Sequence, residues 1–268
     1  MSLSIQSSSD GLRQRHLEQL AELQQRNQER LASGRRIARA SDDSAGLAIA
    51  KRLEAVVRGT AQGERNVADG QSVVRTADAS LQSNQDAISR MRELSVQAQN
   101  GTLNASDRDT IQQEYDQLAA QSTQTAGGTN FGGRTLLDGS VGGDEAIAIT
   151  DGQGGSTDIE IGDASAAGLG VQGLNVADPN TLAALDAAQG SLASERARLG
   201  ALDNTFSRQQ AQLSSARVNA EEARSRIEDV DVARAVADST RDRILTDLTL
   251  AGQRISDSSR GRVMDLLG

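Results

Sequence analysis

Apolar residues recur every seven positions through the C-terminal part of the chain. The series runs through Leu185, Leu192, Leu199, Phe206, Leu213, Ala220 and Ile227. Positions between them add Ala188, Leu202, Ala216, Ala223 and Val230, with polar Glu195 and Gln209 as exceptions. An average spacing of 3.5 residues keeps one narrow helical seam facing a partner helix, which is the pattern of a coiled coil. We expect a helix from about residue 181 toward 250, with a break near 228–231.

A second seam lies nearer the N-terminus and passes through Leu53, Val67, Val74, Leu81 and Ile88, with Ala77 and Met91 at the paired positions. The stretch between the two seams has none. The two ends of the chain are therefore predicted to meet in a long antiparallel coiled-coil rod, a mainly α fold.

Helix boundaries are indicated by capping and turn residues. A first helix is expected from about Leu12 to residue 33, with a narrow stripe through Leu17, Leu20, Leu23 and Leu31. Residues 41–43 (SDD) offer N-capping oxygens to the next helix, and Asn100-Gly101 is a strong turn signal. Ser106 with Asp109 resembles a capping box for a further helix.

The segment 127–180 has a different character, because glycine-rich turns bound two alternating apolar–polar runs at 146–149 and 158–161. Period-two alternation with β-branched residues predicts a small β-hairpin around residues 151–156. Pro179 suits the first turn of the last long helix.

Composition argues for thin helical bundles. Only 37% of the 268 residues are apolar, and the aromatic residues are Tyr115, Phe131 and Phe206. A thick core is therefore not expected. Part of the apolar surface, namely Leu185, Leu192, Leu199 and Leu213, is predicted to stay incompletely buried until another subunit covers it.

Charge and motifs exclude several classes of function. A net charge of −9 argues against a nucleic-acid partner, and no apolar run is long enough for a membrane span. The chain has no Cys, which excludes disulfides and thiolate metal sites but does not fix the compartment. The N-terminus lacks a secretory signal pattern, and together with the missing membrane span this indicates a cytosolic protein.

The sequence offers no convincing catalytic, cofactor or metal site. His16 is the one histidine and lies in a polar helix, so it is interpreted as an ordinary surface or interface residue. The G-x-G-x-x-G match at 168–173 does not join a strand to a helix, and acidic glycine-rich pieces such as 151–155 are interpreted as turns. We expect no enzyme activity.

Three stretches resemble bacterial flagellin. The first comprises RLASG at 30–34 and SDDSAG at 41–46, and the second RMRELSVQ at 90–97 with FGGRTLL at 131–137. The third comprises LSSAR at 213–217 and ARSRIEDVD at 223–231. They follow the order of the family and span nearly the whole chain.

This resemblance implies a filament subunit without outer variable domains. The expected parts are an inner N-terminal arm (1–42) and an inner C-terminal arm (231–268), which pair in an inner coiled coil. Around them are expected the rod (43–136), a hairpin and turn segment (137–180) and the C-terminal rod helix (181–230). It implies a helical homopolymer exported through the flagellar type III channel without a cleaved signal, which replaces the cytosolic interpretation. It also implies a flagellar cap, hook-junction proteins and an export chaperone as partners.

The resemblance further implies a surface read by the vertebrate Toll-like receptor that detects flagellin, at Arg90, Leu94 and Glu114. That surface would place an exposed Leu94 beside Arg90, as interface hot spots do. The alternative is that these residues make subunit contacts in the filament, and both interpretations can hold together. The charged segment 254–264 departs from the family pattern. The alternative function is a hook–filament junction protein; a secreted enzyme on this scaffold would need an inserted domain.

Overall fold

The structure is a computed structural model that describes residues 2–267, with side chains described for residues 14–256, 258, 259 and 262. Within these ranges it contains the long helices α1 (Ser2–Ser33), α2 (Ser44–Ala98), α3 (Ala105–Gly128), α4 (Pro179–Glu228) and α5 (Val232–Leu267). Four short strands form two antiparallel hairpins, β1 (Asn130–Phe131) with β2 (Arg134–Thr135) and β3 (Ile147–Thr150) with β4 (Ser156–Ile159). The mainly α fold class is confirmed.

The chain divides into two compact units. Residues 1–55 and 219–268 form the first, called here the terminal unit, and residues 56–218 form the second, called the rod unit. In the terminal unit α1 packs against α5. The Asn27 side-chain amide there donates to Asp242 Oδ2 at 2.9 Å, and Asp242 is largely buried.

In the rod unit α2 and α4 are antiparallel and cross-linked by side chains. The ion pairs are Glu64–Arg217, Arg75–Asp203, Asp78–Arg196 and Arg92–Asp186, at 2.7–3.3 Å between the charged atoms. The residue numbers of these pairs rise along α2 as they fall along α4, so the four pairs define a single antiparallel register. Exposed pairs each contribute little to stability. Their value is that a slip of the helices breaks all of them together.

The core of the rod unit is formed by the two predicted seams, which are buried against each other. Val67, Val74, Leu81 and Ile88 of α2 are at most 2% exposed, and α4 contributes its heptad leucines. Helix α3 adds Ile111 and Tyr115, and the Tyr115 hydroxyl donates to the Val171 carbonyl at 2.8 Å. The loop residues Leu136, Val141 and Ile161 close the core.

Several predicted boundaries are confirmed and others are wrong. The break after residue 228, the start of α4 at Pro179 and the hairpin around 151–156 are confirmed. Helix α1 begins at Ser2 instead of near Leu12. The capping box of α3 is Asn104 with Asp107, not Ser106 with Asp109, because the helix begins one residue after Asn104.

The β1–β2 hairpin was not expected from the sequence pattern. Its two-residue turn is Gly132-Gly133, with φ of 59° and 87°. Two successive positive φ values are those of a type I′ turn, which matches the twist of paired strands. Each strand has only two residues, too few for apolar alternation to show.

Candidate subunit interface

The predicted seam of α4 is already buried within one chain. Leu185, Leu192, Leu199 and Phe206 are at most 1% exposed, and Leu213 is 4% exposed. The prediction that these leucines wait for another subunit is therefore wrong, because α2, α3 and the loop residues cover them. Ile227, at the end of the seam, is half-buried within the terminal unit.

Much of the exposed apolar surface lies instead on α5. Ile244, Leu248 and Ile255 are 54%, 63% and 67% exposed, and Val232 and Val236 are also exposed. At about 100° per residue, Ile244, Leu248 and Ile255 lie roughly 200–240° around the helix from Asp242, which faces Asn27 of α1. These three side chains, called here the α5 stripe, therefore point away from α1. A monomer leaves them in water.

Arg90, Leu94 and Glu114 are placed differently from one another. Arg90 Nη2 lies 2.8 Å from Glu114 Oε1 and Arg90 Nη1 lies 3.0 Å from Glu93, with all three side chains substantially exposed. The hydrogen bonds that Arg90 donates, first to Glu114 and then to Glu93, raise the pKa of Arg90. Leu94 is 1% exposed and belongs to the core with Ile111 and Tyr115. The prediction of an exposed Leu94 is wrong, because α3 covers that side of α2.

Within the terminal unit, the segment between α1 and α2 meets the segment between α4 and α5, and this contact is called here the junction. Arg35 and Asp229 form an isolated antiparallel bridge, and the amides of Arg36 and Val230 donate across it to Glu228 and Gly34. The Glu228 carboxylate, 8% exposed, lies 3.0 Å from Arg35 Nη1. A charge buried this deeply needs such partners.

Asp42 organises the segment that leads from this junction into α2. Its Oδ2 accepts the amides of Ala38 and Arg39 at 3.1 and 3.0 Å. These bonds, led by the one from Arg39, hold the pKa of Asp42 below its usual value. The prediction that residues 41–43 supply capping oxygens to α2 is therefore confirmed for Asp43, which accepts the amide of Gly46 in the first turn. It is wrong for Asp42, whose carboxylate accepts amides of the preceding loop.

A charged cleft lies beside this junction within the terminal unit. It is lined by Arg30, Arg36, Arg226 and Arg234 together with Asp229, Asp231 and Asp238. Arg226 is engaged by Glu222, and the Arg36 side chain donates to the Ile227 carbonyl. The lining carries both signs of charge, which fits a protein contact better than a simple anion site.

The described part of the chain also bears on two other kinds of site, a metal centre and a membrane span. His16 is exposed on α1. No cluster of three or more His, Asp or Glu residues there could hold a metal ion. In the same residues, none of the helices combines the length and the hydropathy that crossing a bilayer requires.

Comparison with known proteins identifies the family. Residues 5–141 match the profile of the bacterial flagellin N-terminal helical region, and residues 182–255 match that of its C-terminal helical region. The chain belongs to the bacterial flagellin family. Flagellins are structural proteins, and membership makes this chain a filament structural subunit.

Two relatives match over nearly their whole length. The flagellar filament 33 kDa core protein of Treponema phagedenis is 34% identical over 262 residues, covering 91% of this chain and 92% of the relative. The flagellin of Halalkalibacterium halodurans is 33% identical over 251 residues, covering 91% of each. The short flagellin form expected from the sequence is thereby confirmed.

A solved structure shares the fold. A putative flagellar hook-associated protein from Vibrio parahaemolyticus superimposes with a TM-score of 0.60 over 70% of this chain and 99% of that chain. The sequence identity is 16%, so this likeness concerns the fold alone. It gives the junction alternative no advantage over the flagellin function.

Proposed function

We propose that this flagellin polymerises through the α5 stripe, which each copy buries against its neighbour in the filament. The observation that carries this is the exposure of Ile244, Leu248 and Ile255 on the side of α5 opposite α1. Burying apolar surface yields about 25 cal/mol per Å², so covering three such side chains favours association by several kcal/mol. A contact between unlike surfaces that does not close gives an open helical polymer.

We further propose a division of labour that follows the family resemblance. The arms 1–42 and 231–268 form the inner layer, and the segments 43–136, 137–180 and 181–230 form the surrounding rod and hairpin. The packing of α1 against α5 supports pairing of the two arms. Several side chains of the charged segment 254–264 lie outside the described residues.

The proposed setting is the extracellular flagellum. Export through the flagellar type III channel, without a cleaved signal, is proposed from the family resemblance. A cap, junction proteins and an export chaperone are the corresponding partners. A secretion assay in a strain with and without the type III export apparatus tests the route, with loss of export expected when the apparatus is absent.

Arg90 and Glu114 are proposed to serve a contact surface, either with a neighbouring subunit or with the vertebrate Toll-like receptor. Their exposed ion pair supports this, since Arg at an exposed rigid position is frequent among interface hot spots. Leu94 takes part only by supporting the helix from beneath. An Arg90→Ala variant measured in both a receptor reporter assay and an assembly assay separates the two contacts.

Seeded assembly followed by electron microscopy tests the function. Purified chains added to short filament seeds are expected to lengthen them into long tubes. Seeds that stop growing after one layer of added protein would contradict a filament subunit and favour the hook–filament junction. Monomer that never adds to seeds would contradict both.

A further inference from the structure

Three glycines interrupt an otherwise regular buried face of α2. In the seven-residue frame that places Val67, Val74, Leu81 and Ile88 in the core, the paired positions are Gly63, Gly70, Ala77, Asn84 and Met91. Gly59 lies one turn before Gly63 on the same side. Glycine inside a helix costs roughly 0.5–1 kcal/mol relative to alanine. Three of them on one face call for a reason in the packing.

For Gly59 and Gly63 the reason is the tip of the β3–β4 hairpin, whose backbone touches the backbone of α2. A Cβ atom at Gly63 would lie 1.9 Å from the Asp151 carbonyl oxygen, and one at Gly59 would lie 2.9 Å from the Gly152 carbonyl oxygen. The approach is reciprocal, since a Cβ at Gly152 would lie 2.1 Å from the Gly59 carbonyl oxygen. Gly152 also has φ of 72°, which disfavours any other residue.

Specific hydrogen bonds surround this contact. The Asn66 side-chain amide donates to the Thr150 carbonyl at 3.0 Å and to its hydroxyl at 3.1 Å. Gln209 of α4 donates to the Thr157 hydroxyl at 2.9 Å. Within the tip, Asp151 Oδ1 accepts the amides of Gln153 and Gly155 at 2.8 and 2.9 Å. The turn is thus shaped by hydrogen bonds to its own aspartate as well as by its contact with α2.

The β3–β4 hairpin is stabilised by its contact with Gly59, Gly63 and Asn66 of α2, which is called here the hairpin seat. An isolated two-stranded hairpin is marginally stable in water. One face of β3 gains core contact, because Ile149 packs over Gly70 and near Phe206. The other stabilising contacts are the backbone approach at Gly59 and Gly63 and the Asn66 and Gln209 bonds.

We propose that Gly59, Gly63 and Asn66 form a binding site on α2 for a glycine-containing β-turn, occupied here by the chain's own hairpin tip. Docking and release of the tip is then a local opening, separate from unfolding of the α2–α4 rod. The ligand class is narrow: a turn with glycine at the position of closest approach and an exposed carbonyl on each side. This inference concerns the monomer and holds whether or not the chain polymerises.

Hydrogen exchange of the full-length monomer tests the site. Gly63→Ala is expected to speed exchange of the amides in residues 147–159 by about tenfold or more, while amides near Leu81 and Leu192 keep their protection. Gly190→Ala on α4 is the matched helix control, since a Cβ there meets nothing within 4 Å. Equal hairpin protection in Gly63→Ala and the native chain would overturn the proposal.

A second pair of variants distinguishes loss of the contact with α2 from backbone strain in the turn. Gly152→Ala and Gly154→Ala both place alanine at a positive φ, but only position 152 approaches α2, because a Cβ at Gly154 meets nothing within 4 Å. Gly152→Ala is expected to release the tip more than Gly154→Ala does. The double variant Gly63→Ala with Gly152→Ala is expected to exchange about as fast as either single variant. Additive effects, or equal effects of the two turn variants, would overturn the proposal.

Discussion

Arg35 Nη1 lies 3.0 Å from Glu228 Oε1, and this ion pair joins the segment after α1 to the end of α4. The Glu228 side chain is 8% exposed, whereas Arg35 is 56% exposed. The Glu228 carbonyl also accepts the amide of Arg36 at 2.6 Å. Glu228 therefore ends α4 and also holds the segment that connects α1 to α2.

Replacing Glu228 by Gln is expected to loosen this junction. The amide keeps the volume but loses the charge that faces Arg35, at a cost of about 1 kcal/mol. Exchange of the Val230 amide, which donates to Gly34, reports the change directly. Glu222→Gln is the control, because its pair with Arg226 is well exposed on both sides. Equal acceleration in the two variants would contradict a special role for Glu228.

The Asn27–Asp242 hydrogen bond is expected to matter for the pairing of α1 with α5. Asn27→Ala leaves the largely buried Asp242 carboxylate without this donor, which costs about 1–3 kcal/mol. Asn27→Leu combined with Asp242→Leu is expected to restore or exceed native stability, because a well-packed apolar pair replaces a buried polar one. Urea unfolding measures both. A double variant as weak as Asn27→Ala would show that the loss is one of packing.

Tyr115 gives the rod unit a pH-dependent contribution to stability. Burial, and secondarily the charge of Asp116, raises the pKa of its hydroxyl from 10.0 to about 12. The folded chain therefore holds this proton more tightly than the unfolded chain. The contribution is fully present below pH 10 and is lost as the pH rises from 10 through 12, on the order of 2–3 kcal/mol in all.

Absorbance titration tests this assignment, since Tyr115 is the one tyrosine of the chain. Tyrosinate is expected to form near pH 12 in the native protein and near pH 10 in urea. Tyr115→Phe is expected to be less stable at pH 8, because the Val171 carbonyl loses its donor, but to lose less stability between pH 8 and 11. A native midpoint near pH 10 would contradict the burial of the hydroxyl.

Two glycines in different surroundings are expected to respond oppositely to alanine. Gly200 is exposed within α4, and a Cβ there meets nothing within 4 Å, so Gly200→Ala should stabilise the monomer by about 0.5–1 kcal/mol. A Cβ at Gly70 would lie 3.0 Å from Ile149 and 3.2 Å from Phe206. Gly70→Ala is therefore expected to destabilise it. Thermal unfolding of both variants measures the contrast, and stabilisation by both would refute it.

The sequence was sufficient for the helical rod because heptad spacing is a local property. The positions from Leu185 to Leu213 could be assigned to one seam without knowing their partner. What completes the burial of a seam depends on the tertiary structure. The sequence could predict that the seam of α2 meets these residues, but not that α3 and the loops finish their burial within one chain. For the same reason it placed Leu94 on the surface, although α3 packs over it.

The hairpin seat illustrates a second limit. Gly63 and Gly70 occupy core positions of the heptad, and their small size is the signal that could have revealed a close approach. A missing side chain, however, does not identify the segment that fills the space. The α5 stripe shows the same limit, because Ile244, Leu248 and Ile255 lie outside both predicted seams.

The most direct test of the account is the rate at which wild-type seeds elongate with Leu248→Asp monomer. Val96→Asp is the control, since Val96 is 52% exposed on the rod unit and Leu248 is 63% exposed on the α5 stripe. Circular dichroism first confirms that both variants keep their helices. We predict that Leu248→Asp slows elongation at least about tenfold, because burying an unpaired carboxylate opposes association, while Val96→Asp elongates at the native rate. Native elongation by Leu248→Asp would contradict the assignment of the α5 stripe as the polymerising surface.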